Sequence, residues 1–259
     1  MGAAEEWAGA LASWAIPPEI LAAAPEDPWA WPVSSFVRAT AHAMARDTPS
    51  ARRGREAVPE GGTVLDVGCG AGAASLPLCP PAAVVVGVDR DDEMLAAFAE
   101  QASARGVEHR EISGPWPGVM DAVSAADVVV CHHVLYNIGD LEPFVTAMAD
   151  RARNRFVIEM TAEHPRAWSA PIWRALHGIE RPTRPTAEDA IEVLAELGVA
   201  VHVERWVSEM DPTPSAELVP MVRRALCLPA ARDPDVAKAL AEHPPPSSRA
   251  HVTLWADVP

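Results

Sequence analysis

The chain has 259 residues, 49% of them apolar and 22% charged, a composition that buries a full core and excludes a disordered chain. Its formal charge is −15, from 21 basic against 36 acidic residues, which disfavours general binding to nucleic-acid backbones. The four cysteines, Cys69, Cys79, Cys131 and Cys227, show no paired spacing, so a reduced cytoplasmic protein without structural disulfides is expected.

The opening MGAAEEWAGA carries two glutamates where a secretory leader would carry basic residues. No apolar run approaches the roughly 20 residues that a membrane span needs. Neither export nor a membrane partner is expected. Residues 1–58 hold Trp7, Trp14, Trp29 and Trp31, prolines at 17, 18, 25, 28 and 32, helical patches such as 33–46, and no β-rich run. They read as a helical cap over the domain at 59–259, and four tryptophans there need a large apolar surface to cover. Arg52-Arg53-Gly54-Arg55 is a short basic patch that reads as a solvated loop.

From residue 63 short β-branched runs alternate with helical stretches. Residues 63–67 predict a strand, 68–72 a turn, and the segment to Leu78 a short helix. A second strand covers 84–89, followed by a helix over 93–105 capped by Asp91 or Asp92. Strands are predicted at 107–112, 127–131 and 155–159. Between the last two, Asp140 caps a helix with Leu141, Phe144, Val145 and Met148 on one face. Thr186-Ala-Glu-Asp189 is a capping box opening a helix that Gly198 closes. The remaining strands fall at 199–207 and 250–255, and proline-rich loops near 211–214 and 244–246 flank a helical insertion over about 210–245.

This order implies an α/β domain, a mostly parallel seven-stranded Rossmann-like sheet with helices on both faces and the N-terminal helical cap. Ligands in such sheets bind at the carboxyl ends of the strands, near the topological switch point.

The turn Gly68-Cys69-Gly70-Ala71-Gly72 lets backbone approach a ligand closely, and Gly68-x-Gly70-x-x-Ala73 also fits a dinucleotide fingerprint. Asp66, two residues before Gly68, would face a pyrophosphate unfavourably and suits a ligand with an ammonium and a sulfonium. Asp89, at the end of the second strand, is placed to accept both hydroxyls of a ribose.

The segment VLDVGCGAG (64–72), with the D-x-x-M-L that follows Asp89, resembles motif I and its sequel in class I S-adenosylmethionine-dependent methyltransferases. The resemblance covers roughly residues 60–160 and implies S-adenosylmethionine as cofactor. It implies contacts from Asp66, Gly68, Cys69, Gly70, Gly72 and Asp89, with Arg90 or Met94 lining the adenine. After the third strand no aspartate stands where the family has an acidic or polar residue, so Ser113 would substitute, and Trp116 would stack near the adenine or serve structure on its proline-rich loop. The usual turn before strand five is replaced by Arg151-Ala-Arg-Asn-Arg155.

Methyl transfer needs positioning and exclusion of water, and a general base only when the acceptor must lose a proton. Cys131-His132-His133 follows the fourth strand. Cys131 is expected at the cofactor, and one of His132 and His133 is the candidate base, since adjacent side chains on extended backbone point to opposite sides. Contiguous ligands cannot wrap one tetrahedral ion, so no metal is expected. Tyr136 could orient an acceptor or cap its pocket; Glu159, Thr161, Glu163 and His164 also lie within reach, and Trp168 and Trp173 could join an apolar lid. The reading is therefore a methyltransferase acting through O or N on a small, largely apolar molecule. An NAD-dependent oxidoreductase is one alternative, without a Tyr-x-x-x-Lys pair in a chain whose one lysine is Lys238. A cofactor-binding protein without catalysis is the other.

Overall fold

Seven strands form one sheet in the order β3-β2-β1-β4-β5-β7-β6. The computed structural model of the chain describes residues 2–210 and 215–258, so the proline-rich loop expected at 211–214 lies outside the described residues. The strands are β1 (Gly62–Val67), β2 (Ala82–Asp89), β3 (Glu108–Ser113), β4 (Ala126–His132), β5 (Ala152–Thr161), β6 (His202–Glu209) and β7 (Ser248–Asp257). β1 to β5 pair in parallel, and β7 inserts antiparallel between β5 and β6. The strand order reverses at β1, between β2 and β4, which opens a crevice above their carboxyl ends.

The central strands β1 and β4 are apolar through most of their length because helices cover both faces. Val128, Val129 and Val130 of β4 are fully buried, each worth roughly 1.5–3 kcal/mol of transfer free energy. One face packs on α6 (Leu141–Arg151), α8 (Ala187–Glu196) and, through Trp7, on α1 (Ala3–Ala12). The other packs on α5 (Asp92–Ser103) and on α4 (Pro49–Ala57). A separate cluster joins Ile16 to α7 (Ala170–His177), α9 (Ser215–Ala225) and α10 (Asp233–Glu242). The short α2 (Pro18–Ala22) and α3 (Val33–Met44) complete the N-terminal part. α9 and α10 lie between β6 and β7, where the helical insertion was expected. Among the described residues no helix is long and apolar enough to cross a membrane.

Several local expectations change. The segment after the glycine turn forms only a 3-10 turn at Leu76–Leu78, since Pro77, Pro80 and Pro81 remove backbone donors. Asp91 is the N-cap of α5, its carboxylate accepting the Glu93 N–H at 2.9 Å. Asp140 stands at the N-cap of α6 without a side-chain capping bond, whereas the Thr186/Asp189 capping box is formed. The basic patch is not a solvated loop. It lies on α4, where Arg53 pairs with Glu204 of β6 at 2.9 Å and Arg55 donates to the Pro77 carbonyl. Arg53 also pairs with Glu56 one turn along the same helix at 3.0 Å.

Candidate functional site

The glycine turn between β1 and the 3-10 segment has left-handed backbone at Gly68, Gly70 and Gly72, with φ of 72°, 50° and 90°. L side chains are strained there, so the tight turn under the crevice depends on glycine. Asp89 closes the same site from β2: its carboxylate accepts the Gly70 N–H at 3.0 Å and the Asp91 N–H at 3.1 Å. A backbone cradle facing an acceptor-only carboxylate is the donor set that a ribose and a cationic tail fit.

α3 lies directly over this cradle. A Cβ on Gly70 would stand 3.0 Å from the Phe36 ring, and Thr40, fully buried, donates to the Ala71 carbonyl at 2.9 Å. Neither residue carries a sequence motif; only the packing reveals them.

The other expected cofactor residues divide. Asp66 is fully buried beneath the turn and accepts the Ser75 hydroxyl at 2.6 Å. Burial pushes its carboxyl up to about 7, and its second oxygen has no hydrogen-bond partner among the described residues. Cys69 is buried within the core between β2 and α5, so only its backbone faces the crevice. Cys131 is likewise fully buried in the opposite core, which removes its thiol from any ligand. Arg90 is exposed beside Asp89, and Met94 is buried on α5 as a core methionine. Ser113, exposed at the end of β3, donates to Asp92 at 2.7 Å. Trp116 is occupied structurally: its indole N–H donates to the Phe144 carbonyl at 3.1 Å and its ring fills the core under α6.

On the β4–β5 side the adjacent histidines do not go to opposite sides as extended backbone would send them: the chain leaves the extended form at His133, and both rings turn to Glu159. His132 is largely covered, its side chain 11% exposed, with Nδ1 3.9 Å from Glu159 Oε2, and desolvation pulls its imidazole down to about 4. His133 leaves the strand with φ of 60°, which swings its ring to the surface, 47% exposed, with Nε2 3.0 Å from Glu159 Oε1. Glu159 is 6% exposed, and the two histidines hold its carboxyl well below the usual range despite burial. His251, a residue the sequence did not single out, joins from β7 with Nδ1 3.7 Å from Glu159 Oε1 and Nε2 against Ser208 Oγ at 2.8 Å. Trp206 stacks on its ring. The donor atoms of His133, Glu159 and His251 lie within 4.8 Å of one another, a spacing that a divalent cation could bridge. Tyr136 is a packing residue: its hydroxyl donates to the Thr161 carbonyl at 2.9 Å, and its ring sits between Trp7 and His164.

The sheet order, the glycine turn at its switch point and the carboxylate on β2 define a cofactor-binding α/β enzyme. Residues 64–155 match the family model of a methyltransferase domain. A ubiquinone biosynthesis O-methyltransferase of Rhizobium johnstonii is 33% identical over 179 residues, covering 64% of this chain and 68% of that protein. Among solved structures, YcgJ from Bacillus subtilis superposes with a TM-score of 0.56 at 16% identity, over 84% of this chain and 98% of its own. Magnesium protoporphyrin IX methyltransferase from Synechocystis PCC 6803, solved with bound SAH, gives 0.51 at 16% identity over 91% and 90%. The chain belongs to the class I S-adenosylmethionine-dependent methyltransferases, and S-adenosylmethionine is its cofactor. The oxidoreductase and non-catalytic readings fall with this assignment.

Proposed function

We propose that this methyltransferase acts on an oxygen atom of a small, mostly apolar acceptor, with His133 as the general base. The observation that carries the reading is the His133 Nε2 to Glu159 Oε1 contact of 3.0 Å at the adjoining ends of β4 and β5. An ionised carboxylate can only accept, so Nε2 carries the proton and Nδ1 keeps its lone pair. Glu159 thereby orients the ring, and it stabilises the imidazolium formed when Nδ1 takes the proton of a hydroxyl. The exposed position of His133 leaves that nitrogen open to an acceptor, while His132 and His251, both lowered to about 4, stay neutral and add no competing charge. A hydroxyl gains from such a base; a neutral amine does not require one. The relatives named as O-methyltransferases agree with oxygen as the acceptor atom.

On the cofactor side, the amides around Gly68, Gly70 and Gly72 and the carboxylate of Asp89 would hold S-adenosylmethionine, which supplies a methyl group on a sulfonium. Phe36 and Thr40 of α3, lying over the turn, would exclude water there and make the N-terminal segment a lid. The test is methylation of matched phenols and anilines with radiolabelled cofactor. Phenol methylation that collapses in His133→Ala is the expected result. Aniline methylation that survives in the variant would overturn the oxygen assignment.

A further inference from the structure

In a chain with 36 acidic against 21 basic residues, buried guanidinium groups readily find carboxylates. Arg155 pairs with Glu56 and Asp257, and Arg223 with Glu26 and Asp233. Two arginines just beyond β5 and α7 do not, among the described residues. Arg166 has its guanidinium carbon over the Trp29 ring, 3.9 Å from the centroid, with no hydrogen-bond acceptor among the described residues. Arg181, 9% exposed, sits between the Trp14 and Trp173 rings; it donates to the Trp14 and Ala15 carbonyls, and its buried Nε has no partner.

His164 belongs to the same group. Its Nδ1 accepts the Arg166 backbone N–H at 3.2 Å, so in the neutral ring Nε2 carries the proton. The ring is held neutral, lowered to about 3 by burial and by both arginines, and it stacks on Trp14 at 3.7 Å. Burial, and then the neighbouring Arg181, lower Arg166 to about 10, and burial lowers Arg181 as well. The cluster therefore offers donors from three side chains, walls of indole, and no facing carboxylate.

We infer that Arg166, with Arg181 and His164, binds a carboxylate carried on the planar body of the methyl acceptor. The inference rests on the assignment of the β4–β5 side to the acceptor. Planar guanidinium matches a carboxylate in a two-point geometry, and the indoles match an aromatic body on either side. The location suits this: His164 and Arg166 follow β5 by a few residues, and Tyr136 joins His164 to the segment after His133 through a ring contact at 5.1 Å. A neutral apolar acceptor would leave the half-buried Arg166 guanidinium and the buried Arg181 Nε without an acceptor.

The test titrates the full-length enzyme, saturated with S-adenosylhomocysteine, with benzoate and then with benzamide, following tryptophan fluorescence. Benzoate should bind saturably, and benzamide roughly tenfold or more weakly, since it loses the charge-assisted pair. Arg166→Gln should bring benzoate down to the level of benzamide, and Arg166→Lys should fall between, with unchanged affinity for S-adenosylhomocysteine as the control of folding. Equal affinity for the two probes in the wild-type protein would overturn the inference without any variant. So would benzoate that binds only when S-adenosylhomocysteine is absent, because the arginines would then serve the carboxylate of the cofactor. No turnover is read, so failure of this site is distinct from failure of the His133 base.

Discussion

His133 Nε2 and Glu159 Oε1 stand 3.0 Å apart across neighbouring strands, joined because the register places Glu159 opposite His132 and the next residue turns left-handed. If this pair activates a hydroxyl, His133→Ala and Glu159→Gln should each lower kcat by roughly 10²–10³. Affinity for S-adenosylhomocysteine should stay within about twofold, because neither side chain touches the glycine turn. Steady-state kinetics beside calorimetric titration separate the two effects. A lost cofactor affinity with intact kcat would move His133 out of the acceptor site.

Asp89 holds the glycine turn as well as facing the crevice, through the Gly70 N–H at 3.0 Å. Asp89→Asn keeps the shape, removes the charge and puts a donor where an acceptor stood. Affinity for S-adenosylhomocysteine should fall roughly ten- to a hundredfold, the value of one or two charged hydrogen bonds. An unchanged dissociation constant by calorimetry would exclude Asp89 from the ribose.

The lid is tested at Phe36 rather than by truncation. Trp7 is 1% exposed within the main core and its indole donates to the Ile138 carbonyl, so deleting residues 1–30 would damage the domain itself. Phe36→Ala opens the space above Gly70 and should lower kcat/KM for the acceptor by about tenfold. The melting temperature should move by only a few degrees, since Phe36 is not fully buried. A variant with full turnover would leave α3 as packing alone.

Asp66 and the desolvated histidines give opposite pH dependence. His132, His164 and His251 are lowered to about 4, 3 and 4, so the unfolded chain binds more protons below 6.5 and their stabilisation is lost as pH falls toward 4. Asp66 is raised to about 7, so its contribution is present at low pH and lost as pH rises from 3.8 to 7. Asp66→Asn should therefore be more stable than the wild-type protein at pH 8, by up to about 4 kcal/mol, and equal to it near pH 4. Melting curves of the cofactor-free proteins across that range read the difference directly. A stability difference that does not change with pH would mean that Asp66 is ionised in the folded chain.

The donor atoms of His133, Glu159 and His251 meet within 4.8 Å, so metal dependence has a definite test. With His133 as a base, dialysis against a chelator should leave turnover unchanged. Turnover lost on dialysis and restored by one divalent cation would replace the base with metal-assisted activation of the hydroxyl.

What the sequence determined by itself is local. The turn Gly68–Gly72, the apolar strands around it and Asp89 specify backbone conformation within one stretch of chain, because glycine alone tolerates the left-handed positions and continuous apolar runs have to be covered on both faces. Tertiary structure decided the rest. His251 meets Glu159 only because β7 inserts antiparallel beside β5, bringing together residues that lie 92 positions apart. Phe36 meets Gly70 because α3 folds back over the turn, and Trp116 and Tyr136 prove to be packing residues because distant carbonyls take their polar atoms. Strand order and the return of a helix across a sheet depend on which buried surfaces finally match, and no short segment of the chain carries that information.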